Sequence, residues 1–592
     1  MPAIHVNETY YSYKQLEDMA CMIARPIVEQ ADVDKKPIGI FANRNIYAFA
    51  GIFGALIAGR AYVPLNPNNP ADRLSKIMNA ASIDTVILAE EFSEAFGKLG
   101  SLFTGLNIIC LDPGEAVRKL VKQLPQHHFI FPNKDACIDE ITVEASPEDA
   151  AYILYTSGTT GVPKGILIKH KNVCAMVNFM IGKYGFNASD KHSNVHDLSF
   201  DFSVHDIFLC ILSGGCLYVL PKSQLFSPVE YIKSKMLTVW SSVPSIAMMM
   251  SRLGALEPGC LPSLRYSFFC GEALQVSTAQ AWHEAASNAI LENIYGPTEA
   301  TVSITGYRYD EVSTPTICVN GLVPIGLPYE GHRTLVIDEN GADVMQGTIG
   351  ELYLCGPQVA SGYYKNIPET IKSFKVLLKD SKLVWYKTGD LVKELPGGIL
   401  VFMGRLDEQV KVNGYRIEIL EVEKALREVT GNQMAVCIPV ISDKKLGVTD
   451  AIHAYLEGDS GSFNNEAILL QLETKLPWYM IPSTIHVLGK LPLNSNGKIN
   501  KKVLQELSIK GGVGTVDENS VKSSNPGNHH SAEKEPSDRE LNLRSNQTVA
   551  PHCYRCFKDL KEDKALRGVG LIRIVNHQGN DGFICHVCLG GF

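Results

Sequence analysis

Residues 153–165 read ILYTSGTTGVPKG. The run opens on apolar and β-branched side chains, as a buried strand does. Six consecutive slender residues follow: Thr156, Ser157, Gly158, Thr159, Thr160 and Gly161. The run closes on Lys164 and Gly165. The pattern G-x-x-x-x-G-K-[ST] does not fit, because Pro163 stands where its second glycine should be, and G-x-G-x-x-G fails too. The chemistry still points to an anion. Glycines let the backbone turn tightly and bring N–H groups close to a ligand. The hydroxyls add donors, and Lys164 adds positive charge. A flexible polar turn is the alternative, but a strand leading into so dense a combination favours an anion cradle.

Outward from this loop, short apolar runs alternate with helical patterns through residue 507. DTVILAE (84–90) and LNIIC (106–110) read as strands, and ADRLSKIMNAA (71–81) as an amphipathic helix. Such alternation predicts α/β layers with largely parallel sheets. TLVIDENGADV (334–344) reads as two strands around an Asn-Gly turn, so a β-rich piece is expected near 333–356. The most apolar segment, IYAFAGIFGALIAG (46–59), is shorter than the ~20 residues of a membrane span and reads as a buried helix. At 592 residues the chain needs several cores. A net charge of −8 gives no nucleic-acid or anionic-membrane surface. The polar N-terminus carries no secretory pattern, and Cys210, Cys216 and Cys355 stand alone in apolar runs. Both features predict a reducing, cytoplasmic setting.

YTSGTTGVPKG resembles the signature loop of the adenylate-forming superfamily, which holds acyl-CoA synthetases, luciferases and peptide-synthetase adenylation domains. Further family motifs follow in order, among them LSFDFSVHD (198–206), NIYGPTEA (293–300), YKTGDL (386–391), GRLDEQVKVNGYRIE (404–418) and LPLNSNGKINKK (491–502). The resemblance covers roughly residues 5–507. It implies a large N-terminal adenylation core over 1–404, with layered α/β subdomains and a β-rich subdomain, and a small mobile α+β domain over 405–507. ATP would bind at their junction. Thr156, Ser157, Gly158, Thr159, Thr160, Gly161 and Lys164 would cradle its phosphates. Tyr295 would stack on adenine, Glu299 would hold Mg2+, and Asp390 and Arg405 would reach the ribose. Lys498, Thr160 and Glu299 would be catalytic, with positive charge from Lys498 and Mg2+ placed where negative charge builds at the α-phosphorus. Asp407 matches the hinge about which the small domain would turn, withdrawing Lys498 and presenting the face around Gly414 for thiol attack on the acyl-adenylate.

LSFDFSVHD bears on the acid activated. In peptide-synthetase adenylation domains the residue matching Asp201 pairs with the substrate's α-ammonium, and a buried ammonium needs such a partner. The alternative is that Asp201 caps a helix beginning near Ser203. By motif position Phe202, His205, Ser245, Phe268, Cys270, Ile294, Val302 and Ser303 would line the side-chain pocket. Phe202 and Phe268 should limit its volume to a small or medium amino acid. His205, Ser245 and Ser303 could bond a polar side chain or pack against one another. Several stretches are most similar to D-alanine–carrier-protein ligases, although His205 departs from that pattern and the chain runs about 85 residues further.

Residues 508–550 are rich in Gly, Ser, Asn, Glu and Lys and read as a flexible linker. Beyond it, over 551–592, HCYRC and CHVC place Cys553, Cys556, Cys585 and Cys588 as two C-x-x-C pairs. Four such thiolates suit a structural, zinc-ribbon-like Zn2+ site that docks a partner; disulfides are the alternative. No carrier-protein motif follows Lys498, so a phosphopantetheinylated carrier is expected as a separate chain. The reading is ATP-dependent aminoacyl-AMP formation followed by transfer to that carrier's thiol. CoA or an amine as acceptor, or a non-catalytic protein acting through the zinc module, are the rivals.

Overall fold

The computed structural model describes residues 1–30, 34–133, 143, 145–157, 163–225, 227–377, 380–407, 409–412, 414–440, 449, 451–459, 461–493 and 499–509. Two large sheets face a shared core. The first has seven strands in the order His128–Ile130, Asn107–Ile109, Thr85–Leu88, Ile38–Phe41, Tyr62–Pro64, Ala150–Thr156 and Lys164–Lys169; all pair in parallel except the last, which returns antiparallel. The second has nine strands, parallel at its centre and antiparallel at both edges. One apolar cluster takes residues from both sheets and from the helices Tyr13–Glu29, Ile46–Ile57, His170–Tyr184 and Phe202–Leu212. The segment read as a buried helix is one: Ile46 to Ile57 are almost all buried. A Cβ at Gly54 would lie 2.7 Å from Ile23 Cγ2, so the small residue sets how closely the first two helices approach.

A five-stranded antiparallel sheet follows, built from Arg333–Ile337, Ile349–Cys355, Phe374–Leu377, Asp380–Glu394 and Leu400–Arg405. This is the expected β-rich piece, with one correction. The two-strand reading of 334–344 fails in its second half. Asp338 Oδ1 accepts the N–H groups of Asn340 and Ala342 at 2.9 and 2.8 Å, so the turn closes on its own side chain. Only a single bridge joins Ile337 to Asp343, and the partner strand starts at Ile349.

The chain then forms a hairpin, Gln409–Val412 with Tyr415–Glu418, the helix Ile419–Thr430, and a three-stranded sheet of Ala435–Val440, Ala451–Glu457 and Thr484–Leu488. These elements bury their own cluster, from Val412 to Ile485. They meet the large sheets across a buried ion pair, Arg73 Nη1 to Glu421 Oε1 at 2.6 Å. Among the described residues no helix is long and apolar enough to cross a membrane.

Candidate functional site

The opening loop is pinned at both ends. Thr156 pairs with Lys164 across the antiparallel ladder, while Gly158, Thr159, Thr160 and Gly161 lie outside the described residues. Ser157 is buried; its Oγ donates to the carbonyl of Arg416 at 2.9 Å and accepts the N–H of Glu418 at 3.2 Å. Lys164 Nζ meets Glu369 Oε1 at 2.8 Å, so the loop's cation is compensated by a carboxylate that the sequence did not single out. That carboxylate sits on the helix Ile367–Ser373, capped by Asn366.

Antiparallel pairing sets Asp390 directly opposite Arg405, and the two form an ion pair. The Tyr295 hydroxyl donates to Asp390 Oδ2 at 2.5 Å. Both carboxylate oxygens of Asp390 are therefore engaged. Burial, then the neighbouring charge of Asp390, pushes the Tyr295 hydroxyl well above its ordinary pKa, so it remains a donor. Arg405 also reaches Asp407 Oδ1 at 2.7 Å and Gln409 Oε1 at 2.7 Å. The residue matching the hinge is thus tied to a residue matching the ribose site.

Glu299 lies on the short helical turn Thr298–Ala300 and is 1% exposed. Arg416 Nη1 stands 3.2 and 3.1 Å from its two oxygens, and the Tyr363 hydroxyl donates to Oε1 at 2.8 Å. Burial opposes ionisation, but the Arg416 guanidinium and these hydrogen bonds outweigh it and hold the carboxyl below its ordinary value.

One cavity, about 590 Å3 including space open to solvent, joins Asp390, Arg405 and Arg416 to Asp201. Its walls bring together Asp201, Phe202 and Cys270 with Asp390 and Arg405, and with Lys411, Gly414 and Arg416 of the small unit. Asp201 is the residue before the helix Phe202–Leu212; it makes no regular side-chain capping bond, but its carboxylate accepts the N–H of Phe202. Burial pushes its carboxyl up to about 6, against a hydrogen bond from Thr298 and the charge of Lys411.

Behind this wall, Phe268, Ile294, Val302 and Ser303 are each at most 1% exposed. The His205 ring packs 5.0 Å from Phe202 and 5.4 Å from Phe268, centre to centre. Its Nε2 has no hydrogen-bond partner. Burial, with His192 and His196 nearby, pushes its pKa down to about 3, so it is neutral. Cys270 Sγ reaches the Val302 carbonyl at 3.9 Å, and the Tyr329 hydroxyl donates to Ser303 Oγ at 3.1 Å. Ser245 is drawn elsewhere: its N–H donates to Glu272 Oε2 at 2.9 Å, and Glu272 Oε1 accepts the N–H of Gly414 at 2.7 Å. Glu272 therefore clamps the hairpin to the large sheet. It lies inside FFCGEALQ, but no sequence signal assigns it that task.

Lys498 and the four C-terminal cysteines lie outside the described residues. Among the described residues, no group of three or more His, Cys, Asp or Glu side chains is placed to hold a metal ion.

The cavity is lined by residues of the layered α/β body and of the small C-terminal unit, among them Asp201, Asp390, Arg405 and Arg416. The model of the AMP-binding enzyme family matches residues 1–364, and the chain belongs to that family. D-alanine–D-alanyl carrier protein ligase of Listeria monocytogenes serotype 4b (strain CLIP80459) is 31% identical over 515 residues, covering 85% of this chain and 95% of the relative. Among solved structures, the Vibrio cholerae adenylation domain AlmE in complex with glycyl-adenosine-5'-phosphate is 30% identical, covers 86% of this chain and 94% of its own, and superposes with a TM-score of 0.78. IdnL7 is 32% identical, with coverages of 86% and 96% and a TM-score of 0.64. The chain is an amino-acid adenylating ligase.

Proposed function

We propose that this ligase couples a small amino acid to AMP and then passes the aminoacyl group to the phosphopantetheine thiol of a carrier protein supplied as a separate chain. The observation that carries the reading is Asp201. Asp201 lines the cavity beside Phe202 and Cys270, and its buried carboxylate accepts from the Thr298 side chain and the Phe202 N–H. A buried carboxylate in that place suits an ammonium and nothing apolar. The bulky wall behind it leaves room for a small side chain.

In the first step a carboxylate oxygen of the amino acid attacks the α-phosphorus, and the bond to pyrophosphate breaks. Asp390, Arg405 and Tyr295 would hold the nucleoside, and Thr156, Ser157 and Lys164 the phosphates. Lys164 then exchanges Glu369 for a phosphate oxygen. Glu299 suits Mg2+: it is a buried, ionised hard-oxygen donor whose neighbours are a cation and a hydroxyl. Mg2+ there supplies charge neutralisation of the polyphosphate. In the second step the carrier's thiolate attacks the acyl carbon and AMP leaves. The boundaries 1–404 and 405–507 rest on the order of the motifs; the strand Leu400–Arg405 and the helix Lys501–Ile509 each cross one of them. A zinc-held module at Cys553, Cys556, Cys585 and Cys588, on the spacing of those residues, and a reducing, cytoplasmic setting, on the free cysteines among the described residues, complete the proposal.

A panel of amino acids in ATP–pyrophosphate exchange, with and without carrier protein or CoA, tests the reading. Exchange with glycine or D-alanine that turns over on carrier alone supports it; exchange with no amino acid at all overturns it. The second step has its own test. Gly414 has φ +81° and a Cβ there would stand 2.4 Å from Val243 Cγ1. Gly414→Leu should slow loading of the carrier by about a hundredfold, the rate equivalent of overpacking a tight contact, and leave pyrophosphate exchange within about threefold. Equal loss in both assays would show that the docked hairpin does not belong to the second step.

A further inference from the structure

Glu299 and Arg416 lie 117 positions apart in the chain, yet they make one of the site's best-formed contacts. The guanidinium approaches both carboxylate oxygens, at 3.2 and 3.1 Å, and the carboxylate is 1% exposed. Arg416 reaches it from the strand Tyr415–Glu418, part of the small C-terminal unit. The same strand takes the Ser157 hydroxyl on the Arg416 carbonyl and returns the Glu418 N–H to it. The preceding residue, Gly414, is clamped by Glu272. One strand thus satisfies two of the groups that phosphate and metal would otherwise need.

One guanidinium nitrogen, Nη1, lies against both Glu299 oxygens and the Tyr363 hydroxyl takes a further site on Oε1, and two cations a few ångströms apart repel strongly away from bulk water. We propose that Arg416 is the stand-in for the divalent cation on Glu299, so that docking of the Tyr415–Glu418 strand and metal binding at Glu299 exclude each other. This rests on the reading of Glu299 as the metal ligand and adds what that reading lacks, a reason for the order of events. Arg416 leaves Glu299 when the small unit swings away, which opens the carboxylate for ATP with its metal. Arg416 returns only when that carboxylate is vacated, which ties presentation of the Gly414 face to departure of pyrophosphate. On return it also spares the fold an isolated buried carboxylate, which is costly. Arg416 acts here as a positioning residue.

The test is binding of Mn2+, a paramagnetic stand-in for Mg2+, to the full chain without nucleotide, followed by the loss of free-ion signal in electron paramagnetic resonance. Arg416→Gln should bind Mn2+ about tenfold or more tightly than the wild type, and Arg416→Lys, which keeps the charge, should stay near it. Gly414→Leu leaves Arg416 intact but prevents docking, so it too should tighten the site. Glu299→Gln should remove the site in every background. If Arg416→Gln and Gly414→Leu bind no better than wild type while Glu299→Gln still abolishes binding, the exclusion is wrong and the metal reading stands. If Glu299→Gln changes nothing in any background, the metal reading falls and takes the inference with it.

Discussion

Replacing Asp201 with alanine is expected to cut amino-acid-dependent pyrophosphate exchange by about a hundredfold to a thousandfold, with the loss falling on the amino acid and not on ATP. Truncating one partner of a buried, hydrogen-bonded charge pair costs about 2–5 kcal/mol, and each 1.4 kcal/mol is a factor of ten. The site offers the ammonium little else. The neighbouring side chains are Phe202 and Cys270, and the nearest polar partners, Thr298 and Lys411, are a hydroxyl and a like charge. The KM for ATP should stay within about threefold, because Asp390, Arg405 and Tyr295 form their own network. The same carboxyl sets a pH dependence. Burial raises it to about 6. Above that value it is ionised and pairs with the ammonium; below it the neutral acid cannot. Apparent amino-acid affinity should therefore be flat from pH 7 to 8 and weaken by about tenfold per unit as pH falls through and below 6. Asp201→Asn should lose the pH dependence along with the affinity. Undiminished turnover in Asp201→Ala would point to a simple carboxylic acid as substrate.

The elements that the sequence exposes are those whose burial repeats with local period. Residues 71–81 carry Leu74, Ile77, Met78 and Ala81 on one face, and the helix Ala71–Ala81 buries those residues. Residues 46–57 are apolar on every face, and that helix is buried on every face. The site divides along a different line. Asp201, Phe202 and Cys270, assigned by motif, do line one cavity with Asp390 and Arg405, but Ser245 is held by Glu272 and Ser303 by Tyr329. The helix start was legible to within one residue, Phe202 against Ser203, but Asp201 has φ −62° and ψ −24°, already helical, and makes no regular cap. The pairs Lys164–Glu369 and Arg416–Glu299 span 205 and 117 positions. No local pattern encodes such contacts. They exist because a sheet edge, a short helix and a hairpin from three parts of the chain converge on one cleft. Arg416 lies within the motif GRLDEQVKVNGYRIE, but its task, like that of Glu272, appears only when the small unit is docked.

Lys498→Ala is expected to lower aminoacyl-AMP formation by about a hundredfold to a thousandfold, the cost of removing one charge from a developing oxyanion site. It should leave transfer from supplied aminoacyl-AMP to the carrier within about threefold. The split follows from which face of the small unit meets the cleft. Here that face is the hairpin, through Gly414 and Arg416. The described residues flanking position 498 are engaged elsewhere: Leu491 and Ile499 pack with Val436, Ile438 and Tyr455, and Lys501 pairs with Glu423 at 3.5 Å. Neither Leu493 nor Ile499, which bridge to each other, lines the cavity. On the motif reading, Lys498 serves the α-phosphorus in a second arrangement of the small unit, and the Arg416–Glu299 pair and the Gly414 clamp would have to let go for that arrangement to form. If adenylation and transfer draw on different faces of the small unit, as proposed, each variant should damage one half-reaction. Lys498→Ala and Gly414→Leu should give mirror-image profiles in the exchange and loading assays. If Lys498→Ala depressed both steps alike, the lysine would be serving the fold and not the first step, and the rotation linking the two would lose its support.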